Sequence, residues 1–261
     1  MARATQSELL EQRIAENTAA QQVDLATWIF ERAPVQRGER VLELCCGTGG
    51  QTLALLERVG ENGHVVGLDV SQSALDTLAA RAGATRERLT CVRGKLEDFP
   101  SALDHAGANF NAFDLIFCAY GLYYSGDVER TLSESKAKLK GDGRIVVVGP
   151  FGPNNKPLFD VVRASGVEIS EPVIYSSELF MTKTVIPWGA RNFETLSVST
   201  MVNPVRWNSV ERVVNYWKNT TFFDESRLEA FQNLIKRHFE RETVFMNEKW
   251  VMLVEMSHAR T

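Results

Sequence analysis

The chain has 261 residues, of which 44% are hydrophobic and 24% are charged, and its formal net charge is −4. This composition is typical of a folded globular protein and argues against disorder. The lack of a basic excess disfavours a nucleic-acid partner, and no apolar run approaches the roughly 20 residues that a membrane span needs.

The N-terminus and the cysteines indicate the compartment. The first residues, MARATQSELLEQRIAEN, have no apolar core of the signal-peptide kind. The four cysteines, Cys45, Cys46, Cys91 and Cys118, have neither the spacing of a disulfide framework nor that of a metal site. We therefore expect a cytoplasmic protein without a bound metal, in which the cysteines serve mainly as small buried hydrophobic residues.

Strand and helix patterns alternate through the first half of the chain, after one or two amphipathic helices in the N-terminal 35 residues. This alternation predicts a parallel sheet with helices on both faces. The predicted strands are Val41–Cys45, His64–Val70, Leu89–Arg93, Phe113–Tyr120 and Arg144–Gly149. The predicted helices are Gln51–Arg58, a helix that Ser71 caps and Gly83 closes, and Asp127–Leu139.

The pattern loosens beyond Pro150, and no linker divides the chain, so we predict a single domain. Residues 171–208 are expected to be irregular, with strand-like pieces such as Glu194–Val202. The other predicted elements are helices at Pro157–Ala164, Val210–Lys218 and Glu225–Glu240 and a final strand at Lys249–Met256.

The most informative segment is ELCCGTG, residues 43–49, between the first predicted strand and its helix. Its glycines allow a sharp turn and a close approach of a ligand to the backbone. A dinucleotide would place its pyrophosphate here, and Glu43 would repel that charge. The third glycine of the dinucleotide fingerprint is also missing, which disfavours an NAD-dependent dehydrogenase. The acid favours a ligand that carries a cation and no phosphate, such as S-adenosylmethionine.

Four segments together resemble the class I S-adenosylmethionine-dependent methyltransferases, with the small-molecule branch around the ubiquinone and menaquinone C-methyltransferases as the nearest group. The segments are ELCCGTG, VVGLDVS, RGKLEDFP and FDLIFCAYGLYY, and the resemblance covers roughly residues 20–150. It implies an α/β, Rossmann-like fold with a seven-stranded, mostly parallel sheet, helices on both faces and an antiparallel last strand. The implied segments are an N-terminal helical lid (1–35), a donor-binding core (36–150), an acceptor-side lid insertion with helices (151–245) and a final strand (246–256).

The resemblance also implies a donor site across the carboxyl ends of strands one to four. Glu43 is expected to attract the donor ammonium, Gly47 and Gly49 to let the backbone approach the methionine part, and Thr48 to add a hydroxyl. Asp69, 20 positions after Gly49, is expected to accept the ribose hydroxyls. The other implied contacts are Val70, Leu96 and Glu97 at the adenine and Cys118, Ala119 and Tyr120 at the reacting methyl. Alternative interpretations are that Asp69 merely caps a helix and that Glu43 is a structural ion-pair partner.

Two positions depart from the family pattern. Cys45 stands in the donor loop where the family usually has glycine, so glycine-only backbone angles cannot be assumed there. Lys95 stands where the family often has an aspartate for the adenine amino group, and a lysine cannot accept that hydrogen bond. Glu97 or Asp98 is expected to take over this contact.

Methyl transfer requires alignment of acceptor and donor, and an oxygen or carbon acceptor can also need a general base. The candidate catalytic residues are His105, Tyr120 and Tyr124, and the sequence does not choose among them. Cys118 follows Phe117 and lacks the preceding proline that is usual for a cytosine C5 nucleophile, which disfavours nucleic-acid methylation. The region after residue 150 is rich in aromatic residues and is expected to supply the acceptor pocket, although packing is the alternative role of most of these side chains.

The predicted function is methyl transfer from S-adenosylmethionine to an oxygen or carbon of a small metabolite, such as an aromatic, isoprenoid or other secondary metabolite. S-adenosylhomocysteine is the expected product. One alternative is a sugar or polysaccharide O-methyltransferase, and another is a donor-binding regulator or assembly protein without transfer activity. The expected partner is the small-molecule acceptor alone, and a homodimer is left open.

Overall fold

A computed structural model of the chain describes residues 12, 16, 19–107 and 112–260. Most of the first 18 residues, and with them part of the predicted N-terminal helical lid, lie outside the described residues. The helices are α1 (Leu25–Arg32), α2 (Thr52–Val59), α3 (Gln72–Ala82), α4 (Phe99–His105), α5 (Val128–Ala137), α6 (Lys156–Ala164), α7 (Glu171–Ile174), α8 (Ile186–Asn192), α9 (Val210–Lys218) and α10 (Leu228–Phe239). The strands are β1 (Arg40–Leu44), β2 (His64–Asp69), β3 (Leu89–Arg93), β4 (Phe113–Ala119), β5 (Leu139–Pro150), β6 (Phe193–Trp207) and β7 (Phe245–Ala259).

The strands form one seven-stranded sheet in the order β3-β2-β1-β4-β5-β7-β6. Parallel pairing joins β1 to both β2 and β4, β2 to β3, and β4 to β5. The strand order reverses beside β1, since β2 lies on one side of it and β4 on the other. In open α/β sheets the crevice at such a switch point, outside the carboxyl ends of the strands, is the usual ligand site. The predicted Rossmann-like architecture is confirmed.

The central strands are buried on both faces, as their apolar sequences predict. In β1, Val41, Leu42 and Leu44 are at most 2% exposed. Helix α1 buries Trp28, Ile29 and Phe30, and the ring of Phe30 lies 5.7 Å from that of Phe117 in β4. The buried acid in β1, Glu43, is the exception to this apolar pattern and is 1% exposed.

The chain divides into two compact units. One contains residues 25–149, 181–199 and 252–261, and it carries the donor loop. The other contains residues 150–180 and 200–251 together with the chain up to residue 24. Its apolar core includes Trp207, Tyr216, Trp217 and Phe231, which are all at most 3% exposed. Packing is therefore the role of these aromatic side chains, and the single-domain assignment stays a prediction.

The expectation that residues 171–208 are irregular is wrong. Residues 171–192 are helical, with π-helical segments at Tyr175–Leu179 and Met181–Val185 between α7 and α8. The β-branched residues in Met181–Val185 locally favour a strand. The segment instead forms a π-helical turn just before Pro187, which has no backbone N–H to donate to a regular α-helical hydrogen bond. The later strands β6 and β7 are also longer than the predicted Glu194–Val202 and Lys249–Met256.

The strand predicted at Arg144–Gly149 begins earlier, at Leu139, and residues 140–143 form a bulge within β5. Phe113 pairs with Leu139, whereas Leu115 pairs with Arg144. More residues of β5 than of β4 therefore lie between these two pairs, which is the definition of a bulge. Asp114 stabilises this irregularity, because its carboxylate accepts hydrogen bonds from Lys140 Nζ at 2.7 Å and from the Arg40 backbone N–H at 2.7 Å. Asp114 thus supports the start of its strand.

Candidate functional site

The candidate site is the loop between β1 and α2, at the carboxyl end of the parallel strands. Gly47 and Gly49 have φ values of +54° and +92°, a left-handed conformation that glycine adopts readily. A Cβ atom at position 49 would lie 2.4 Å from Leu78 Cδ1, so the loop packs directly against α3. The glycines therefore permit both the turn and the close contact between the loop and the next helix.

Glu43 is buried directly beneath this loop. Its carboxylate accepts a hydrogen bond of 2.6 Å from Thr52 Oγ1, at the first turn of α2. Burial raises the pKa of Glu43 from its ordinary value of 4.5 to about 8; the Thr52 hydrogen bond opposes this rise, and the charge of Asp69 adds to it. The partner of Glu43 is thus a hydroxyl rather than a cation, which does not support the structural ion-pair interpretation.

Asp69 ends β2 and joins the two loops that follow β1 and β2. One carboxylate oxygen accepts the Gly47 N–H at 2.9 Å, and the other accepts the Ser71 N–H at 2.9 Å. Ser71 is itself the N-cap of α3 and accepts the Ala74 N–H at 3.3 Å. A carboxylate oxygen has two lone pairs, so each oxygen of Asp69 keeps one for a further donor. The residue therefore both fixes the loops and offers acceptor positions.

Cys45 has a left-handed backbone conformation, with φ at +60°, which glycine adopts readily. Its side chain fits because residue 121 is glycine: a Cβ atom there would lie 2.3 Å from Cys45 Cβ and 2.6 Å from its Sγ. The same position is 3.4 Å from Cys118 Sγ, so the two thiols are neighbours beside Gly121. The neighbouring Cys118 thiol and burial, in that order, raise the pKa of the Cys45 thiol well above its ordinary value.

Tyr120 and Tyr124 lie in the turn after β4. Tyr120 has φ at +56° and donates its backbone N–H to Val148 O at 2.8 Å. Tyr124 ends a short 3₁₀ turn, Leu122–Tyr124, and is 42% exposed, with its ring 4.7 Å from that of Tyr123. A non-glycine residue at positive φ costs conformational energy and is worth attention at a candidate site. Cys45 and Tyr120 provide two such residues at the ends of neighbouring strands.

The predicted adenine residues follow β2 and β3. Val70 is 46% exposed although it is apolar, and Leu96 is buried at the start of the 3₁₀ turn Leu96–Asp98. Glu97 accepts the Gly126 N–H at 3.4 Å. The exposed apolar surface of Val70 is suited to contact with a flat ring.

His105 lies at the end of α4, away from the residues that form the loop. Its Nδ1–H donates to Ser101 O at 2.6 Å, one helical turn earlier. A cleft of about 450 Å³ opens beside it, and its lining, from residues 91–106, includes Lys95 and Asp98. His105 shares this cleft with Lys95 rather than with Glu43 or Asp69, and its catalytic role stays a prediction.

Two residues of the site were not among those predicted. Thr52 was assigned only to a helix, although a hydroxyl at the first turn after an acid-containing strand is a usable signal. Gly121 was read only as part of an aromatic segment, and its complementarity to Cys45 has no local signature. Among the described residues, no group of three or more His, Cys, Asp or Glu side chains is placed to hold a metal ion.

Comparison with known proteins agrees with this geometry. Residues 41–143 match the family model described as "Methyltransferase domain". The chain is 30% identical over 128 residues to demethylmenaquinone methyltransferase of Lactobacillus johnsonii, covering 48% of this chain and 50% of that protein. It is 33% identical over 121 residues to 2-phytyl-1,4-naphtoquinone methyltransferase of Trichormus variabilis, covering 46% of this chain and 50% of that protein. The chain thus spans about half the length of the curated relatives that it matches.

Solved structures extend the likeness of the fold beyond this region. A putative methyltransferase from Bacillus halodurans superimposes with a TM-score of 0.61 at 14% identity, covering 90% of this chain and 99% of that one. The chain therefore has the Rossmann-like fold of this structure, its residues 41–143 match a methyltransferase domain, and over about half its length it resembles quinone methyltransferases.

Proposed function

We propose that this chain transfers a methyl group from S-adenosylmethionine to an oxygen or carbon of a small, quinone-like aromatic or isoprenoid metabolite. The observation that carries the proposal is the pair of acids at the switch point of the sheet, Glu43 beneath the glycine loop and Asp69 beside it. A cationic ligand with a ribose satisfies both acids, whereas a pyrophosphate would be repelled by Asp69 and would oppose the ionisation of Glu43.

The residues present fit this donor. Glu43 is buried, and its hydrogen-bond partner is the Thr52 hydroxyl rather than a cation. A ligand ammonium beside it would stabilise the ionised carboxylate, which burial alone disfavours. Asp69 has unused lone pairs for the ribose hydroxyls, and the exposed Val70 offers an apolar surface to the adenine. Backbone and side chains of Leu96 and Glu97 would hold the adenine edge.

At the other end of the site, Thr48, Cys118, Ala119 and Tyr120 would surround the methionine part and the reacting methyl. When it is bound, the donor supplies an electrophilic methyl group on a sulfonium. The protein contributes orientation, which can supply several kcal/mol when acceptor and methyl are held about 3 Å apart.

The proton of the acceptor requires a separate group if an oxygen or carbon is methylated. Tyr120 and Tyr124 are in the turn that follows β4, where they would face an acceptor brought to the donor methyl. His105 is the competing base, but its Nδ1–H is held by Ser101 O, which leaves Nε2 as the nitrogen that can accept a proton.

The acceptor class is supported by the relatives, which are named as methyltransferases of demethylmenaquinone and of 2-phytyl-1,4-naphtoquinone. Reduced naphthoquinones with and without an isoprenoid chain are therefore the first compounds to assay. A sugar panel tests the alternative of a sugar O-methyltransferase.

Calorimetry with S-adenosylhomocysteine tests donor binding. The chain should bind it, and Asp69→Ala should weaken binding at least about tenfold, since two ligand hydrogen bonds and the loop tether are lost. Asp76→Ala is the matched control, because Asp76 is exposed on α3 and its carboxylate contacts Gln72 Nε2 at 2.9 Å. Undetectable binding to the folded wild-type chain would refute the proposal. Binding without production of S-adenosylhomocysteine from any acceptor would instead favour a donor-binding regulator or assembly protein.

The compartment and the oligomeric state of the protein are predictions that do not depend on its methyl-transfer activity. Within the part of the chain that the structure describes, no helix has the length and apolar character to cross a membrane. We retain the cytoplasmic setting and a homodimer as predictions; light scattering after size exclusion tests the dimer.

A further inference from the structure

Two thiols meet where β1 and β4 end. Cys45 directly follows Leu44, and Leu44 is the register partner of Cys118 in the parallel ladder. Both sulfurs lie within 3.4 Å of the position that a Cβ atom of Gly121 would take, so they are neighbours around one point. The arrangement is therefore a pair of cysteines held together by the sheet rather than two isolated residues.

Cys46, although adjacent in sequence, is not part of this pair. Its Sγ lies 3.0 Å from the position of a Cβ atom on Gly67, in β2, and its side chain is 4% exposed. The backbone turn at Cys45 thus directs the two neighbouring thiols to different strands. Cys45 is the half-buried member of the pair with Cys118 and offers the first point of attack.

The number of sulfur ligands limits what this pair can hold. A structural zinc ion takes four ligands, and no group of three or more suitable side chains exists among residues 19–107 and 112–260. Two sulfurs alone suit a soft centre that forms strong bonds to thiols. Charge narrows the choice of ligand further, because the neighbouring Cys118 thiol, burial and the Asp69 carboxylate raise the pKa of Cys45 and so disfavour its thiolate.

A ligand that leaves no net charge therefore fits best. A trivalent organic arsenical meets this requirement: an As(III) oxide reacts with two thiols to form two As–S bonds. The two S–H bonds break, the arsenic–oxygen bonds are replaced, and the oxygen leaves with both protons as one molecule of water. No electrons are transferred and no charged sulfur remains. A two-thiolate complex of a monovalent metal ion would instead add a negative charge beside Asp69.

We propose that Cys45 and Cys118 form a two-thiol binding site for trivalent organic arsenicals, and that its occupation blocks the glycine loop. The binding step depends only on the geometry of the two cysteines. The blocking step rests on the proposed function, because the arsenic would lie at the junction of the loop and the turn at Gly121, where the donor methyl is placed.

Phenylarsine oxide is the probe for the full chain. Intact-mass spectrometry should show one phenylarsenic adduct, which a dithiol such as 2,3-dimercaptopropanol removes and a monothiol does not. Cys45→Ser and Cys118→Ser should each lower the affinity at least about a hundredfold, since a single remaining thiol has no chelate partner. Cys46→Ser and Cys91→Ser are the matched controls and should keep the adduct. Circular dichroism of each variant establishes that it folds.

Three results would overturn the site: no stable adduct on the wild-type chain, retention of the adduct in folded Cys45→Ser, or its retention in folded Cys118→Ser. Calorimetry with S-adenosylhomocysteine tests the blocking step separately. The adduct should abolish binding, and dimercaptopropanol should restore it. Full donor binding to the adduct would refute the blocking step, whereas failure of the untreated chain to bind the donor would refute the proposed function and leave the mass result standing.

Discussion

We expect the buried acid Glu43, beneath the loop between β1 and α2, to make donor binding a proton-linked reaction. With a pKa of about 8 in the free chain, Glu43 is protonated at neutral pH. An ammonium that binds beside it stabilises the carboxylate, so the proton must leave as the donor binds. From that pKa, we expect release of about one proton per donor at pH 6 and about half a proton at pH 8. The apparent Kd should fall about fiftyfold between these two pH values.

Calorimetry with S-adenosylhomocysteine in buffers of different ionisation enthalpy measures both quantities. In Glu43→Gln the released proton and the pH dependence should disappear together, because the amide does not titrate in this range. Asp76→Asn is the control for the loss of an acid from the same unit, since its side chain is exposed. Binding that is independent of pH in the wild-type chain, or an unchanged proton release in Glu43→Gln, would show that Glu43 does not receive the donor ammonium.

Glu43 should also make the free energy of unfolding depend on pH. The pKa of Glu43 is higher in the folded chain than its ordinary value of 4.5, so the folded state holds this proton more tightly than the unfolded state. Its contribution to the free energy of unfolding is therefore largest below about pH 4.5 and falls as the pH rises to about 8. The shift corresponds to about 4 to 5 kcal/mol at most. Urea unfolding of the ligand-free chain should show that the free energy of unfolding falls between about pH 4.5 and about pH 8, and the Glu43→Gln variant should lack this fall.

Three further substitutions test the packing of the site. Thr52→Val removes the hydrogen bond that lowers the pKa of Glu43 and should move the midpoint of the pH dependence upward by about one pH unit, as measured by the same calorimetry. Gly49→Ala should lower the free energy of unfolding by about 2 to 4 kcal/mol, since φ is +92° and the new methyl meets Leu78 at 2.4 Å; urea unfolding measures this loss. Gly121→Ala should weaken donor binding at least about tenfold, and adding Cys45→Gly should restore most of it, because the two side chains compete for one space.

The sequence was sufficient to predict the sheet and the glycine loop between β1 and α2. The alternating apolar strands and helix caps are local signals, and the structure confirms them at β1 to β4 and at the Ser71 cap. The helical segment at residues 171–192 was missed because its β-branched residues and two prolines argue against a helix locally. Tertiary packing and π-helical turns override that local preference.

Contacts between distant residues could not be predicted in the same way. The sequence places an acid at position 43 but gives no sign that Thr52 donates to it or that burial raises its pKa to about 8. Cys45 is a second case, since a cysteine in a glycine position leaves the backbone conformation undetermined by the sequence. The structure shows a left-handed conformation there, with φ at +60°.

The Cys45 side chain requires space that is provided at the end of a different strand. A non-glycine residue at positive φ costs on the order of 1 kcal/mol, and its side chain also needs space that a glycine would leave empty. Gly121 provides this space at the end of β4, where a Cβ atom would lie 2.3 Å from Cys45 Cβ. A glycine requirement in the donor loop has thus become a glycine requirement in the turn beside Tyr120. This exchange couples the loop that is proposed to bind the donor with the turn that is proposed to face the acceptor.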